Sequence, residues 1–194
     1  MILLVSMHDT PLVFLDIETT GGSPRYARIT EIGAVRVEKG KITHEYSQLL
    51  QPEQPVPFFI TKLTGITDEM LWDAPRFADI TDDLDLLLRD ALFVAHNVNF
   101  DYSFIKAEHA MNGTRFDIDR FCTARLSRRL YPAQGRHNLD TVIKAHNIQV
   151  KDRHRALDDA KALFEFYKSA LNDHGDRVHE TIERLIIPAN QLLR

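Results

Sequence analysis

Cysteine is almost missing from this chain. Cys122 is the only one in 194 residues, so no disulfide can form within it and a reduced cytoplasmic setting is expected. An excess of positive charge is missing too: 24 lysines and arginines stand against 28 aspartates and glutamates, a formal net charge of -4. That balance argues against the broad electrostatic grip of a sequence-independent DNA binder. It leaves room for an enzyme acting on nucleic acid, because carboxylates that hold metal ions count as negative while the bound ions reverse the local sign. Long apolar runs are also absent, so no membrane span is expected. The opening Met1-Ile2-Leu3-Leu4-Val5 is apolar but short, with no basic residue before it and no small-residue cleavage pattern after it; Met7 is an alternative start. Internal repeats and low-complexity tracts are missing as well.

What is present suits one globular domain with a short tail. Pro11 to Ile17, Ile29 to Val37 and Ile42 to Leu50 read as three strands of an antiparallel meander, broken by Gly21-Gly22-Ser23-Pro24 and by Lys39-Gly40-Lys41. Pro52, Pro55 and Pro57 make a loop before Ile60 to Ile66, and Thr67-Asp68-Glu69 starts a helix. Phe77 to Arg89 is helical, with Ile80, Leu84, Leu87 and Leu88 on one face; Ala91 to Ala95 returns to strand. Asn99 to Asn112 is a helix, with Asn99 as a candidate N-cap and Gly113 as its stop, and Phe116 to Cys122 is a fifth strand. The remainder is helical, with breaks at Pro132 to Gly135 and Gln149 to Asp152; a last helix runs from Val178 to Ile187. Strands first in a meander and then alternating with helices imply an α/β fold, a mixed sheet covered by helices.

Three constellations carry chemistry. In Phe14-Leu15-Asp16-Ile17-Glu18-Thr19-Thr20-Gly21, an apolar strand ends by presenting two acids two positions apart, hence on one face. Hard divalent cations take such oxygen ligands. In His96-Asn97-Val98-Asn99-Phe100-Asp101, a strand leads through polar residues into a helix whose first turn holds Asp101. In His154-Arg155-Ala156-Leu157-Asp158-Asp159-Ala160, the apolar stripe Ala156, Ala160, Leu163, Phe164 and Tyr167 puts Asp159 on its flank and Asp158 nearly opposite, at about 100° per residue. Asp159 is therefore the acid that faces the sheet. His154 lies about 140° around an ideal helix from Asp159, so the two serve one site only if His154 sits on the loop ahead of the helix. Such an imidazole suits a general base, since histidine titrates near neutrality. Each constellation alone has an ordinary structural explanation: exposed acids at a strand end, a helix-dipole aspartate, a surface histidine.

Taken in order, the three motifs resemble the DEDDh class of DnaQ-like 3′-to-5′ exonucleases, which includes the proofreading epsilon subunit of bacterial DNA polymerase III. The likeness covers about residues 11–171, with further matches at Glu31-Ile32-Gly33-Ala34, Leu63-Thr64-Gly65-Ile66-Thr67 and Asn138-Leu139. It implies a ribonuclease H-like fold, a five-stranded mixed sheet with three antiparallel strands and two parallel ones flanked by helices. Residues 11–171 would be the exonuclease domain and 172–194 a C-terminal helical extension, in which Ile186-Ile187-Pro188 resembles the segment that leads out of this domain in longer members.

By the same resemblance, Asp16 would bridge two Mg²⁺ or Mn²⁺ ions, Glu18 and Asp159 would complete one ion's shell, Asp101 would serve the other, and His154 would be the general base. Thr19, Thr20, Thr64, Gly65, Ile66, Asn97 and Phe100 would adjoin the terminal nucleotide, Phe100 mainly as a core anchor. Tyr26, Phe58 and Phe59 are candidates for base stacking, with packing in the interior as their ordinary role. The densest basic stretch, Arg125, Arg128, Arg129 and Arg136, is either a phosphate-contacting surface or a solvated helix face. Single-stranded DNA ends are the expected substrate, RNA or short oligoribonucleotides the alternative, and a polymerase or repair protein the expected partner.

Overall fold

In the computed structural model, which describes residues 9–191, five strands form one sheet in the order β3-β2-β1-β4-β5. β1 (Leu12–Thr19), β2 (Ile29–Glu38) and β3 (Lys41–Leu49) are the antiparallel meander, while β4 (Leu92–Ala95) and β5 (Arg120–Cys122) run parallel to β1 and to each other. The expected ribonuclease H-like arrangement of three antiparallel and two parallel strands is therefore the one observed. Eight helices lie among the described residues: α1 (Phe58–Thr64), α2 (Asp68–Leu71), α3 (Phe77–Leu88), α4 (Asn99–Met111), α5 (Thr123–Leu130), α6 (Leu139–Ala145), α7 (Ala156–His174) and α8 (Arg177–Glu183). The apolar opening Met1–Val5 and the alternative start Met7 lie outside the described residues, as do residues 192–194.

Alternation along β1 sorts the core into two layers. Val13, Leu15 and Ile17 point to one face, where α3 and α4 cover them with Leu84, Leu88, Tyr102 and Ile105. Leu12 and Phe14 point to the other, against Leu163, Phe164 and Tyr167 of α7 and Leu126 of α5. The Phe14 ring sits 5.5 Å from that of Phe164 and 5.6 Å from that of Tyr167. Burying each large apolar side chain contributes roughly 1.5–3 kcal/mol, so both faces of the central strand anchor helices. The outer strand β3 is mostly exposed, and its Glu45 is tied to Lys161 of α7 at 2.7 Å.

Three local expectations need correction. The fifth strand is Arg120–Cys122, not Phe116 to Cys122, because the acids ahead of it are drawn into side-chain contacts: Asp117 receives Lys106 at 2.7 Å, and Asp119 accepts the N–H of Ala189 at 2.8 Å. Arg120 pairs with Phe93 of β4 and also with Ile187 in an isolated antiparallel bridge, so the chain is extended at Ile187 and the last helix stops at Glu183. Asn99 is the first residue of α4 rather than its cap. The chain already turns through Asn97 and Val98, whose carbonyls accept the N–H groups of Phe100 at 2.8 Å and Tyr102 at 3.0 Å.

Candidate active site

The face of β1 that begins with Leu12 and Phe14 continues into Asp16 and Glu18, both half-buried, on the side of the sheet covered by α7. Their register partners on β2 are Gly33 and Glu31. The start of α7 lies directly on Gly33: a Cβ there would come within 2.0 Å of the Leu157 nitrogen and 2.1 Å of the Ala156 carbonyl carbon. Only glycine permits that approach. Glu31, 1% exposed, accepts the N–H of Ala156 at 3.0 Å and the Arg155 guanidinium at 2.8 Å from Nη2 and 3.1 Å from Nε. A buried acid on the strand beside β1 thus fixes where the helix begins.

From that start, Asp159 in the first turn of α7 is buried toward β1. Asp158 turns away and accepts the N–H of Asp152 at 3.2 Å in an exposed turn. His154 lies ahead of the helix in a left-handed conformation, φ 62°, and its backbone N–H donates to Asp159 Oδ2 at 3.3 Å. One ligand atom each from Glu18, His154 and Asp159 lie within 4.8 Å of one another. Asp101 arrives from the opposite layer in the first turn of α4, is 2% exposed, and is close enough to Asp16 for their charges to interact. The structure therefore brings together all five residues singled out from the sequence.

Crowding of acids shapes the electrostatics. Burial, then repulsion from Asp101, Asp159 and Glu18, raises Asp16 well above the usual carboxylate range. Burial followed by Asp159 and Glu31 pushes Glu18 up to about 8, and burial pushes Asp101 to about 8 against hydrogen bonds from its own N–H and that of Ile17. Asp159 is raised by burial, an effect opposed by Arg153. Arg153 had no assigned contact in the sequence reading. Its guanidinium forms an ion pair with Asp159 and donates to Asp140 Oδ1 at 2.9 Å from Nε and 2.7 Å from Nη2. Arg153 Nη1 meets Asp159 Oδ1 in that ion pair. Its adjacency to His154 was the only signal the sequence offered.

Asp16, Glu18, Asp101 and Asp159 form a donor set that fits divalent cations, with hard oxygen ligands and a mutual repulsion that a cation relieves more fully than the single Arg153 guanidinium near three of them.

The expected nucleotide-contacting residues divide into two kinds. The hydroxyls of Thr19, Thr20 and Thr64 are buried and engaged: Thr19 donates to the Gly21 carbonyl at 2.7 Å, Thr20 accepts the N–H of Arg28 at 2.9 Å, and Thr64 donates to the Ile60 carbonyl at 3.0 Å. Ile66 is fully buried beneath α1 and α2. What these segments leave at the surface is backbone, chiefly at Gly65, the left-handed cap of α1 with φ 73°. Asn97 is exposed at φ 68°, and Phe100 packs against the core with its ring tilted on that of Phe104 at 4.9 Å, as expected of an anchor. Packing does not account for Tyr26, Phe58 and Phe59, which are 73%, 82% and 65% exposed.

A mixed five-stranded sheet of ribonuclease H type, with acids from β1, α4 and α7 gathered at one end, is the architecture of a nuclease. Residues 13–167 match the RNase_T exonuclease family, and the chain belongs to that family. The resemblance read from the motifs holds. Over 155 residues the chain is 39% identical to the PolC-type DNA polymerase III of Caldanaerobacter subterraneus subsp. tengcongensis, a match spanning 80% of this chain and 11% of that protein. The chain thus spans about a tenth of the length of the curated relatives it matches. Among solved structures it is similar to Exonuclease X in complex with 5′ overhanging duplex DNA, at TM-score 0.70 and 26% identity over 84% of this chain and 93% of that one. The nuclease domain of 3′hExo, a DEDDh family member bound to rAMP, shares the fold at TM-score 0.76 and 16% identity, over 89% of this chain and 96% of that one.

Proposed function

We propose that the chain is a metal-dependent exonuclease that works from the 3′ end of single-stranded DNA and releases nucleoside 5′-monophosphates. The observation that carries this reading is the convergence of Asp16, Glu18, Asp101 and Asp159 with the His154 backbone at one end of the sheet, carboxyls raised together by burial and repulsion. DNA is favoured because a relative at 39% identity is a DNA polymerase III and the Exonuclease X structure holds DNA. A polymerase or repair partner follows from the same relative, and a cytoplasmic location accords with the single cysteine.

Asp16, Glu18, Asp101 and Asp159 would hold two Mg²⁺ or Mn²⁺ ions, which supply charge neutralisation at the phosphate and acidify water. The chain's own residues do the rest. Glu31 and Gly33 fix the start of α7 and with it Asp159. The His154 imidazole accepts the proton of the attacking water, from a loop tied to Asp159 through the His154 N–H. As the new bond to phosphorus forms, the bond to the 3′ oxygen of the preceding nucleotide breaks, and the terminal nucleotide leaves with its 5′ phosphate.

The test is release of labelled mononucleotides from matched single-stranded DNA and RNA, labelled at either end, with Mg²⁺ or Mn²⁺. Release from the 3′ end of DNA, abolished by Asp16→Ala, is expected. Absence of mononucleotides with both metals would end the exonuclease assignment, and faster release from RNA would end the choice of DNA.

A further inference from the structure

Next to the acidic cluster, a cleft of about 370 Å³ opens between the turn from β4 into α4, helix α5 and the loop at His137. No acid lines it, although acids outnumber bases in the chain. Arg125 and Arg128, one turn apart on α5 and both exposed, reach it, and among the described residues neither guanidinium has a carboxylate partner. Arg28, Arg36, Arg153 and Arg155 are by contrast each committed to an acid. The structure also divides the basic stretch, because Arg129 lines a different hollow beside Arg177 and Arg184.

The cleft is built rather than incidental. His96 forms its floor, with Nε2 at 2.8 Å from the His137 carbonyl and Nδ1 at 2.9 Å from Thr123 Oγ1, and His137 Nδ1 is in turn 2.8 Å from Ser127 Oγ. Burial pulls His96 down to about 4, so it stays neutral and the positive charge comes from the arginines. Asn99 lines the same cleft with a buried Oδ1 that has no hydrogen-bond donor. An unsatisfied buried acceptor of this kind is costly, and a donor from a ligand would relieve it. His96 also feels the charge of Arg153, the guanidinium that pairs with Asp159, so the cleft neighbours the acidic cluster.

We infer that this cleft is a subsite for the polynucleotide strand on the 5′ side of the scissile bond, with Arg125 and Arg128 on its phosphodiesters and Asn99 Oδ1 accepting from a base edge. This inference rests on the exonuclease reading. Phosphate contacts from two arginines would set affinity without reading sequence, while one side-chain amide adds only a weak base preference.

The experiment is fluorescence anisotropy of a labelled oligothymidylate across a salt series, with Ca²⁺ replacing Mg²⁺ to hold back cleavage. The R125A/R128A variant is expected to bind on the order of tenfold more weakly, with a salt slope shallower by about 0.7 per arginine lost. R129A removes the same charge from the separate hollow beside Arg177 and Arg184 and is expected to bind like the parent protein. Unchanged affinity and slope in R125A/R128A would overturn the subsite, and so would an equal loss in R129A, which would mark general electrostatics. The parent protein's mononucleotide release, measured alongside, tests the exonuclease reading separately: a parent that cleaves while R125A/R128A binds normally loses only the subsite.

Discussion

The Glu31 carboxylate accepts the backbone N–H of Ala156 at 3.0 Å, joining the strand beside the acidic pair to the first residue of the helix that carries Asp159. Because Glu31 is buried and pairs in register with Glu18, the position of α7 is referenced to the strand that holds the acids, not to the surface.

Breaking that link should cost both stability and catalysis. Glu31→Ala leaves the buried Ala156 N–H without an acceptor, a loss of about 1–3 kcal/mol. Glu31→Gln keeps an amide oxygen there and should recover the larger part. Gly33→Ala should be worse than an ordinary core overpacking of about 1–3 kcal/mol, because the new methyl meets the backbone of α7. Urea midpoints with Mn²⁺ titrations would read both effects; a stable Gly33→Ala protein with parental Mn²⁺ affinity would contradict the close approach.

Neighbouring aspartates at the start of α7 should differ sharply. Asp159→Asn removes a buried member of the cluster and should lower activity by about 100-fold or more. Asp158→Asn touches only an exposed turn and should change stability by no more than about 0.5 kcal/mol, with activity retained. Steady-state kinetics on the two variants decide the assignment.

Proton uptake should make the metal-free protein less stable at higher pH. Glu18 and Asp101 sit at about 8 in the fold and Asp16 is raised as well, whereas unfolded carboxyls titrate near pH 4. Between about pH 4 and pH 8 these groups hold more protons folded than unfolded, so their contribution to stability falls as pH rises through that window. Unfolding in EDTA should show the fall, Asp101→Asn should make it shallower, and Mn²⁺ should oppose it at the alkaline end. A steeper fall in Asp101→Asn would refute the assignment.

His154 can act as base or as ligand, since its ring nitrogen lies within 4.8 Å of carboxylate oxygens of Glu18 and Asp159. As a base, His154→Gln should lower kcat by about 10²–10⁴-fold with Mn²⁺ affinity nearly kept. A parallel loss of metal affinity, measured by calorimetry, would make it a ligand instead.

Legibility in the sequence followed the range of the interactions. The meander, α3, the strand ending at Ala95 and the preference for Asp159 over Asp158 were readable because strand alternation and helical period are local properties of the chain. The true start of the fifth strand and the cap of α4 are not legible in the sequence, because Asp117 and Asp119 answer to Lys106 and Ala189 and the chain begins to turn at Asn97, ahead of Asn99. Exposure of Phe58 and Phe59 could not be read either, since apolar identity does not say which face a short helix will cover.

By itself the sequence determined which side chains carry charge and which face of each element they occupy: Asp16 with Glu18 on one side of a strand, Asp159 toward the sheet. Only the tertiary structure decided that Gly33 lets α7 touch β2, that Glu31 pins its first residue, that Arg153 meets Asp159, and that Arg125 and Arg128 share a cleft while Arg129 lines a different hollow. The physical reason is that periodicity fixes direction within an element, whereas these contacts depend on how close two elements far apart in the chain can pack.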